Sequence, residues 1–240
     1  MRRSSYRQRL VYKRMLTTTQ RHQILQTAWQ RYYRWHPKTG TGLRMLRDKI
    51  IDENTKRFLI QSNPRPGRFY ILPKMHKTGN PGRPIVFSNS HPSERISQFV
   101  DHHLKPLVHT THSFIKDTTH FLNKLEHLGQ LPENVFLVTL DVSSLYTNIP
   151  HNEGIDACRH FLNTRDRNAS SISIETLCDL IRMILTMNNF SFNDKHYLPT
   201  HGTAMGTRVA PSNANLFLAK FETDRPYHVP LSNPSYGGVT

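Results

Sequence analysis

The sequence has little cysteine, little acid and no long apolar run. Its 240 residues contain two cysteines, Cys158 and Cys178, which are too few for a disulfide framework and favour a reducing, intracellular compartment, either nuclear or cytoplasmic. No apolar stretch approaches the roughly 20 residues that a membrane-spanning helix needs, so we expect a soluble protein without membrane contact. The 15 histidines are scattered and lack cysteines at ligand spacing, which argues against a structural zinc site.

The shortage of acid is greatest at the front of the chain. Residues 1–47 contain twelve Lys and Arg and no Asp or Glu. Residues 131–222 contain seven basic against nine acidic residues, so the net charge of +15 comes from the first half. This distribution fits a polyanion that lies along the basic half and reacts at the near-neutral half, and nucleic acid is the polyanion we expect.

Residues 1–62 are predicted to form a basic, mostly helical extension. Aromatic residues between its cations suit phosphate contacts combined with base stacking. A mitochondrial presequence and an ordinary amphipathic helix are the two alternatives for this segment. A helical pattern continues from Leu43 to Ile60, and the Pro- and Gly-containing stretch 63–67 then ends it.

A β-hairpin is predicted after that break, with strands at 69–73 and 83–87 around a Gly- and Pro-containing turn. It would present Lys74, Lys77 and Arg83, and such side chains on paired strands can hold a triphosphate, with Arg as the better bidentate partner. Basic surface hairpins without a ligand are also common. Helices are predicted next over 94–108 and 117–128.

Residues 135–140 form a continuous apolar run that is typical of a buried strand, and the run ends at Asp141. A strand that carries a carboxylate at its end can hold Mg²⁺, which prefers rigid oxygen ligands. Alternatively, this Asp only caps the next turn or helix. Helices are predicted further on over 152–161 and 174–187, and a hairpin over 190–198.

Two glycines four residues apart, Gly202 and Gly206, precede a helix predicted over 211–222. Glycine lets the backbone approach a ligand closely, and Pro211 suits the start of a helix. Because no Lys-Ser pair follows the glycines, a Walker-type phosphate loop is not expected. Asn213 and Asn215 are interpreted as helix-start residues.

Three segments follow one another along the chain: Phe69-Tyr-Ile-Leu-Pro-Lys-Met-His-Lys with Gly82-Arg-Pro-Ile-Val, Leu140-Asp-Val-Ser-Ser-Leu-Tyr-Thr-Asn-Ile-Pro, and Gly202-Thr-Ala-Met-Gly-Thr-Arg-Val-Ala-Pro-Ser-Asn-Ala-Asn-Leu-Phe. In this order they resemble the motifs of reverse transcriptases, and their residues resemble those of the Penelope-like retroelement branch. The similarity runs from about Thr55 to Glu222. It implies an α+β fold with right-hand polymerase fingers at 63–130 and a partial palm at 131–222, between the basic extension and a tail at 223–240.

The resemblance implies an RNA-directed DNA polymerase that uses an RNA template, a DNA primer, deoxynucleoside triphosphates and Mg²⁺ or Mn²⁺. Asp141 and the Val142 carbonyl would bind metal, and Tyr146 would lie under the incoming sugar and exclude ribonucleotides. The residues implied to contact the triphosphate or nascent pair are Arg83, Lys74, Lys77, Met205 and Gly206, and those implied for template and primer are Gly202, Pro211, Ser212 and Asn215.

One departure from the family pattern is decisive for activity. Such polymerases carry an Asp-Asp pair downstream of the third segment, and this sequence contains no Asp-Asp. We therefore expect a polymerase that is truncated before that motif and inactive alone, with residues 223–240 as an unrelated or disordered tail. The alternative is a non-catalytic nucleic-acid-binding remnant that uses the basic front half.

Overall fold

A computed structural model describes residues 50–76, 78–130, 138–139, 141–165, 172–193 and 195–224. These residues form a mixed α+β structure, as predicted, with seven helices and one four-stranded sheet. None of their helices combines the length and the apolar character that crossing a bilayer requires. The helices are α1 Glu53–Leu59, α2 Glu94–His109, α3 Thr118–His127, α4 Leu145–Asn148, α5 His151–Leu162, α6 Ile174–Thr186 and α7 Ala210–Asp224. The strands are β1 Gly67–Pro73, β2 Gly82–Phe87, β3 Phe190–Phe192 and β4 Lys195–Tyr197.

Helices α2, α5, α6 and α7 enclose the main apolar core. Each has an apolar face repeating every three or four residues, which is the spacing that turns one side of a helix inward. The α6 helix starts at Ser173, whose side chain accepts a hydrogen bond from the Thr176 amide at 3.1 Å. The face predicted for α2 is confirmed as buried, and it consists of Ile96, Val100, Leu104 and Leu107.

The sheet has the strand order β2-β1-β3-β4. The β1 strand pairs antiparallel with β2, and β3 pairs antiparallel with β4, so both predicted hairpins are confirmed. The hairpins meet through a short parallel pairing of β1 with β3. Phe69 stacks on Phe190 with ring centroids 5.3 Å apart and meets Phe192 edge-on at 5.2 Å, which fixes one hairpin against the other.

The helical pattern from Leu43 to Ile60 is only partly realised in the described residues. Helix α1 begins at Glu53, because the Asp52 carboxylate accepts a hydrogen bond from the Thr55 amide at 2.6 Å and so caps the helix there. Ile50 and Ile51, predicted as helical, precede the cap. Most of the predicted basic extension, residues 1–49, lies outside the described residues.

The strand predicted over 135–140 lies outside the described residues except for Val138 and Thr139. Neither residue is in a strand, and Val138 is 69% exposed, so its predicted burial is wrong. The physical reason is that no described strand pairs beside it, so its side chain has no sheet face to cover. At the other end, α7 runs to Asp224, two residues past the predicted helix end at Glu222, so it includes the first two residues of the predicted tail.

Buried His91 connects two distant parts of the chain. Its Nδ1 accepts a hydrogen bond from the Ser93 amide at 3.1 Å, and its Nε2 bonds Asn189 Oδ1 at 3.1 Å. Both bonds are made at once by the neutral ring that carries its proton on Nε2. Burial lowers the pKa of His91 to about 4, against a smaller opposing effect of the Asn189 hydrogen bond.

We predict that His91 makes the fold sensitive to mild acid. The pKa of His91 is about 4 in the folded protein and 6.5 in the unfolded chain. Between these two pH values, the unfolded chain therefore binds a proton that the folded protein does not bind. Its contribution to stability is therefore present above about pH 6.5 and is lost as the pH falls, by up to about 1.4 kcal/mol per pH unit.

Urea unfolding at a series of pH values between about 4 and 7.5 measures this loss. His91→Gln should decline less steeply than the wild type in this interval, whereas His112→Gln, at an exposed position, should keep the wild-type slope. Equal slopes in all three proteins would contradict the prediction.

Candidate functional site

A cleft of about 760 Å³ lies between the β1–β2 hairpin, the segment 141–146 and the loop that precedes α7. We call residues 202–209 the glycine loop. The cleft brings together most of the residues that the sequence predicted for the site, from three segments far apart in the chain. These are Lys74 and Arg83 from the hairpin, Asp141, Val142 and Tyr146 from the middle segment, and Met205, Gly206 and Pro211 from the glycine loop and α7.

Four other predicted site residues are not among the described residues that line the cleft. Lys77 lies outside the described residues. Gly202 is buried behind the segment that carries Tyr146, and Asn215 is exposed on α7. Ser212 points into the protein, where its hydroxyl donates a hydrogen bond to Asp101 Oδ1 at 2.5 Å. The described contacts of Ser212 are therefore those of a residue that holds α7 against α2.

The glycine loop is bonded to both walls of the cleft. On one side the Met205 carbonyl accepts a hydrogen bond from the Val86 amide of β2 at 2.8 Å. On the other side the Thr203 amide donates to the Tyr146 carbonyl at 2.6 Å. These two bonds set the distance between the hairpin and the middle segment, and so the width of the cleft.

Such close contact requires glycine at two positions of the loop. Gly202 has φ +76°, and a Cβ there would lie 2.7 Å from Thr147 Cα and 2.8 Å from the Tyr146 carbonyl oxygen. Gly206 has φ +116°, and a Cβ there would lie 2.3 Å from the Val86 carbonyl oxygen. Real Cβ atoms do not approach other atoms so closely, so each contact is possible only because the side chain is absent.

Sequence reasoning missed the role of Asn213. Its side chain is fully buried and bonds the glycine loop and helix α5 together. Interpretation as a helix-start residue accounted for its type but not for its burial. The available signal was position, because Asn213 lies three residues before buried Leu216 and so belongs to the inward face of α7.

The charge of the cleft favours an anion. Lys74 and Arg83 line it with His76, and Asp141 is the one carboxylate among its described lining residues. The described residues contain no group of three or more His, Cys, Asp or Glu side chains that could hold a metal ion. One exposed carboxylate falls short of what a resident divalent ion needs, so the described residues do not fit a resident metal site.

The wall of the cleft continues outward along one face of the hairpin. Strand alternation and the β1–β2 register place Arg68, Tyr70 and Leu72 on the face of Phe87, Ile85 and Arg83. The Arg68 guanidinium lies 5.7 Å above the Phe87 ring. Because Ile85 and Arg83 line the cleft, exposed Tyr70 and Leu72 extend it towards solvent. We call these six residues the hairpin face.

Comparison with known proteins assigns no family. The chain matches no protein-family model, and no curated protein matches it significantly. What the cleft can do therefore follows from its own residues. Two cationic side chains opposite one carboxylate, with a half-buried tyrosine beside them, suit a polyphosphorylated ligand that has an uncharged part.

We predict that Gly202→Ala destabilises the fold more than Gly79→Ala does. The two glycines have nearly the same φ, +76° and +78°, so both substitutions bring the same left-handed strain of about 1–2 kcal/mol. Only Gly202 faces crowded backbone, whereas a Cβ at Gly79 meets nothing within 4 Å. We expect an additional loss of about 1–3 kcal/mol at Gly202, as in other overpacked positions.

Urea unfolding of the two variants beside the wild type measures the difference. The shared strain cancels in this comparison, so the remainder reports the contact between the glycine loop and residues 146–147. Equal losses in the two variants would mean that the loop does not press on this segment.

Proposed function

We propose that the chain is the fingers and part of the palm of an RNA-directed DNA polymerase of the Penelope-like retroelement type. In this proposal the cleft binds the incoming deoxynucleoside triphosphate. The observation that supports it is convergence, because the three segments that resemble polymerase motifs supply residues to one cleft. The resemblance depends on the residues of the three segments and on their order along the chain. The cleft depends instead on how the chain folds, because it brings together residues as far apart in sequence as Lys74 and Pro211.

Each lining side chain has a role in this proposal. Arg83 and Lys74 contact the triphosphate, Arg83 through the planar fork that matches phosphate oxygens. The Asp141 carboxylate and the Val142 carbonyl face the Mg²⁺ or Mn²⁺ that arrives with the nucleotide as part of the substrate. Tyr146 lies under the sugar and leaves no room for a 2′-hydroxyl. Met205 and Gly206 contact the base pair from the side opposite the hairpin.

The proposal separates binding from turnover. Two-metal phosphoryl transfer clamps both the attacking and the leaving oxygen, and it needs several carboxylates around the two ions. The described cleft supplies Asp141, and the sequence has no Asp-Asp pair. We therefore assign no catalytic step to these residues, and we expect the 240 residues by themselves to bind nucleotide without extending a primer.

A second candidate function is nucleic-acid binding without catalysis, with RNA template and DNA primer as the partners. The hairpin face favours it, because cationic Arg68 and Arg83 alternate there with exposed Tyr70 and Leu72. Phosphates bind to the cations and bases stack on the aromatic ring in such an arrangement. The acid-poor residues 1–47 would add further phosphate contacts.

We predict that Arg83→Ala weakens the binding of magnesium deoxynucleoside triphosphate by about tenfold or more, which is the usual value of a charge-assisted hydrogen bond. Binding of an annealed RNA–DNA primer-template should weaken less, because many other cations share that contact. Titration calorimetry with each ligand separately measures both affinities.

Arg182→Ala serves as the matched control, since Arg182 is exposed on α6 and does not line the cleft. It should leave nucleotide binding unchanged. Nucleotide binding that is undetectable in the wild type would rule out the first proposal. Equal losses for nucleotide and primer-template in Arg83→Ala would favour the second candidate.

We predict that the purified 240-residue chain does not extend an annealed DNA primer on an RNA template with Mg²⁺ or Mn²⁺. The physical reason is the missing negative charge for a second ion. Gel analysis of a labelled primer measures extension, with Asp141→Asn run in parallel. Extension by the wild type but not by Asp141→Asn would show that other carboxylates of the chain complete the site.

A further inference from the structure

The Asn213 side chain uses all of its hydrogen-bonding atoms inside the protein. It has no solvent exposure, and its Oδ1 accepts a hydrogen bond from the Thr203 hydroxyl at 3.0 Å. Its Nδ2 donates to the Gly154 carbonyl at 3.1 Å and lies 3.3 Å from Cys158 Sγ. The amide thereby joins α7, on which it lies, to the glycine loop and to α5.

Helix α5 is shaped to receive this amide. A Cβ at Gly154 would lie 3.1 Å from Asn213 Oδ1 and 3.2 Å from Nδ2, so a larger residue would press on the amide. Cys158, one helical turn further on, is fully buried. The site for the amide is therefore built on a helix of the core, α5, which can hold Asn213 and, through it, Thr203 in place.

Thr203 carries this attachment to the cleft. Thr203 is 2% exposed, and its hydroxyl and its backbone amide donate hydrogen bonds to two different residues. Its hydroxyl donates to Asn213, whereas its backbone amide donates to the Tyr146 carbonyl at 2.6 Å. A continuous series of hydrogen bonds thus runs from α5 through Asn213 and Thr203 to Tyr146, which lines the cleft.

We propose that Asn213 is a positioning residue which, through Thr203, fixes Tyr146 and so sets the sugar that the cleft accepts. This inference rests on the proposed function, because it takes a nucleoside triphosphate as the ligand. In the proposed function, Tyr146 discriminates against a 2′-hydroxyl only if Tyr146 cannot move away from that hydroxyl. The hydrogen bonds from the α5 core provide that resistance.

A purely structural role would not require this arrangement. An apolar side chain of similar size would fill the same volume without the cost of burying an amide. The amide instead directs one acceptor to the glycine loop and its donors to α5. Because hydrogen bonds have a preferred direction, they fix the position of Thr203 more narrowly than apolar packing alone would.

Thr203→Val tests the inference because it removes the hydroxyl and keeps the shape of the side chain. We expect the preference for deoxyribonucleoside over ribonucleoside triphosphate, measured as the ratio of two Kd values, to fall by about twofold to tenfold, the range for one hydrogen bond. Thr203→Ser, which keeps the hydroxyl, should retain the wild-type ratio. Asn213→Leu should lower the ratio as Thr203→Val does, and the double variant should not lower it further.

Amide hydrogen exchange provides a readout that needs no nucleotide. The Thr203 amide and the segment 145–148 should exchange faster in Thr203→Val than in the wild type or Thr203→Ser. Labelling of Cys158 by a thiol reagent serves as the control for general loosening. Burial raises the pKa of this thiol to about 12, so it should stay unreactive in Thr203→Val, in which α5 keeps its packing.

The two readouts separate failure of this inference from failure of the proposed function. An unchanged nucleotide ratio together with unchanged exchange in Thr203→Val would overturn the inference while the cleft still binds nucleotide. If the wild type binds neither nucleotide, the proposed function fails and the role in sugar selection fails with it. Faster exchange of the 145–148 segment would then still establish the link from Asn213 to Tyr146.

Discussion

The cleft depends on backbone packed against backbone at two glycines. At Gly202 the glycine loop lies against residues 146–147, and at Gly206 it lies against β2, with less space than a single methyl group would need. Side chains elsewhere in a protein can adjust by changing rotamer, but main-chain atoms in contact cannot. The hairpin and the segment that carries Asp141 and Tyr146 are therefore held at a distance set by the loop between them.

That loop is in turn held by polar groups of the helical core. The Val209 amide donates to Ser97 Oγ of α2 at 3.0 Å. Ser212, on the first turn of α7, donates a hydrogen bond to Asp101, which also lies on α2. Asn213 ties the other side to α5. Apolar packing of α2, α5, α6 and α7 supplies most of the stability, and these few directed bonds fix how α7 and its preceding loop sit on that core.

Much of this arrangement was predictable from the sequence. Helices α2, α3, α5, α6 and α7 and both hairpins follow from apolar periodicity and from turn residues, which act over short distances along the chain. The grouping of Arg83, Asp141 and Tyr146 followed from the order of three motifs rather than from periodicity. The prediction failed at Val138, where an apolar run indicated burial that the surrounding described structure does not provide.

Asn213 and His91 were missed for a common physical reason. Each is polar and buried, and each depends on partners that a local pattern does not contain, since Asn213 bonds Gly154 and His91 bonds Asn189, 98 residues away. Helical spacing indicates that Asn213 faces inward on α7, but it does not identify Gly154 or Thr203 as the partners of its amide. Burial of a polar group becomes visible only when the helices are assembled, because assembly supplies the partner that makes it tolerable.

The chemistry of the cleft follows from the imbalance between its charges. Under the proposed function, cationic Lys74 and Arg83 would act on phosphate oxygens whether or not a reaction follows, and they would therefore contribute to binding of the ground state. Catalysis instead requires groups that act more strongly on the transition state, and in two-metal transfer these are the ions held by several carboxylates. The described cleft has one such carboxylate, Asp141. For the triphosphate that we propose as its ligand, the cleft therefore favours binding over cleavage, and catalysis would require additional carboxylates rather than a new cleft.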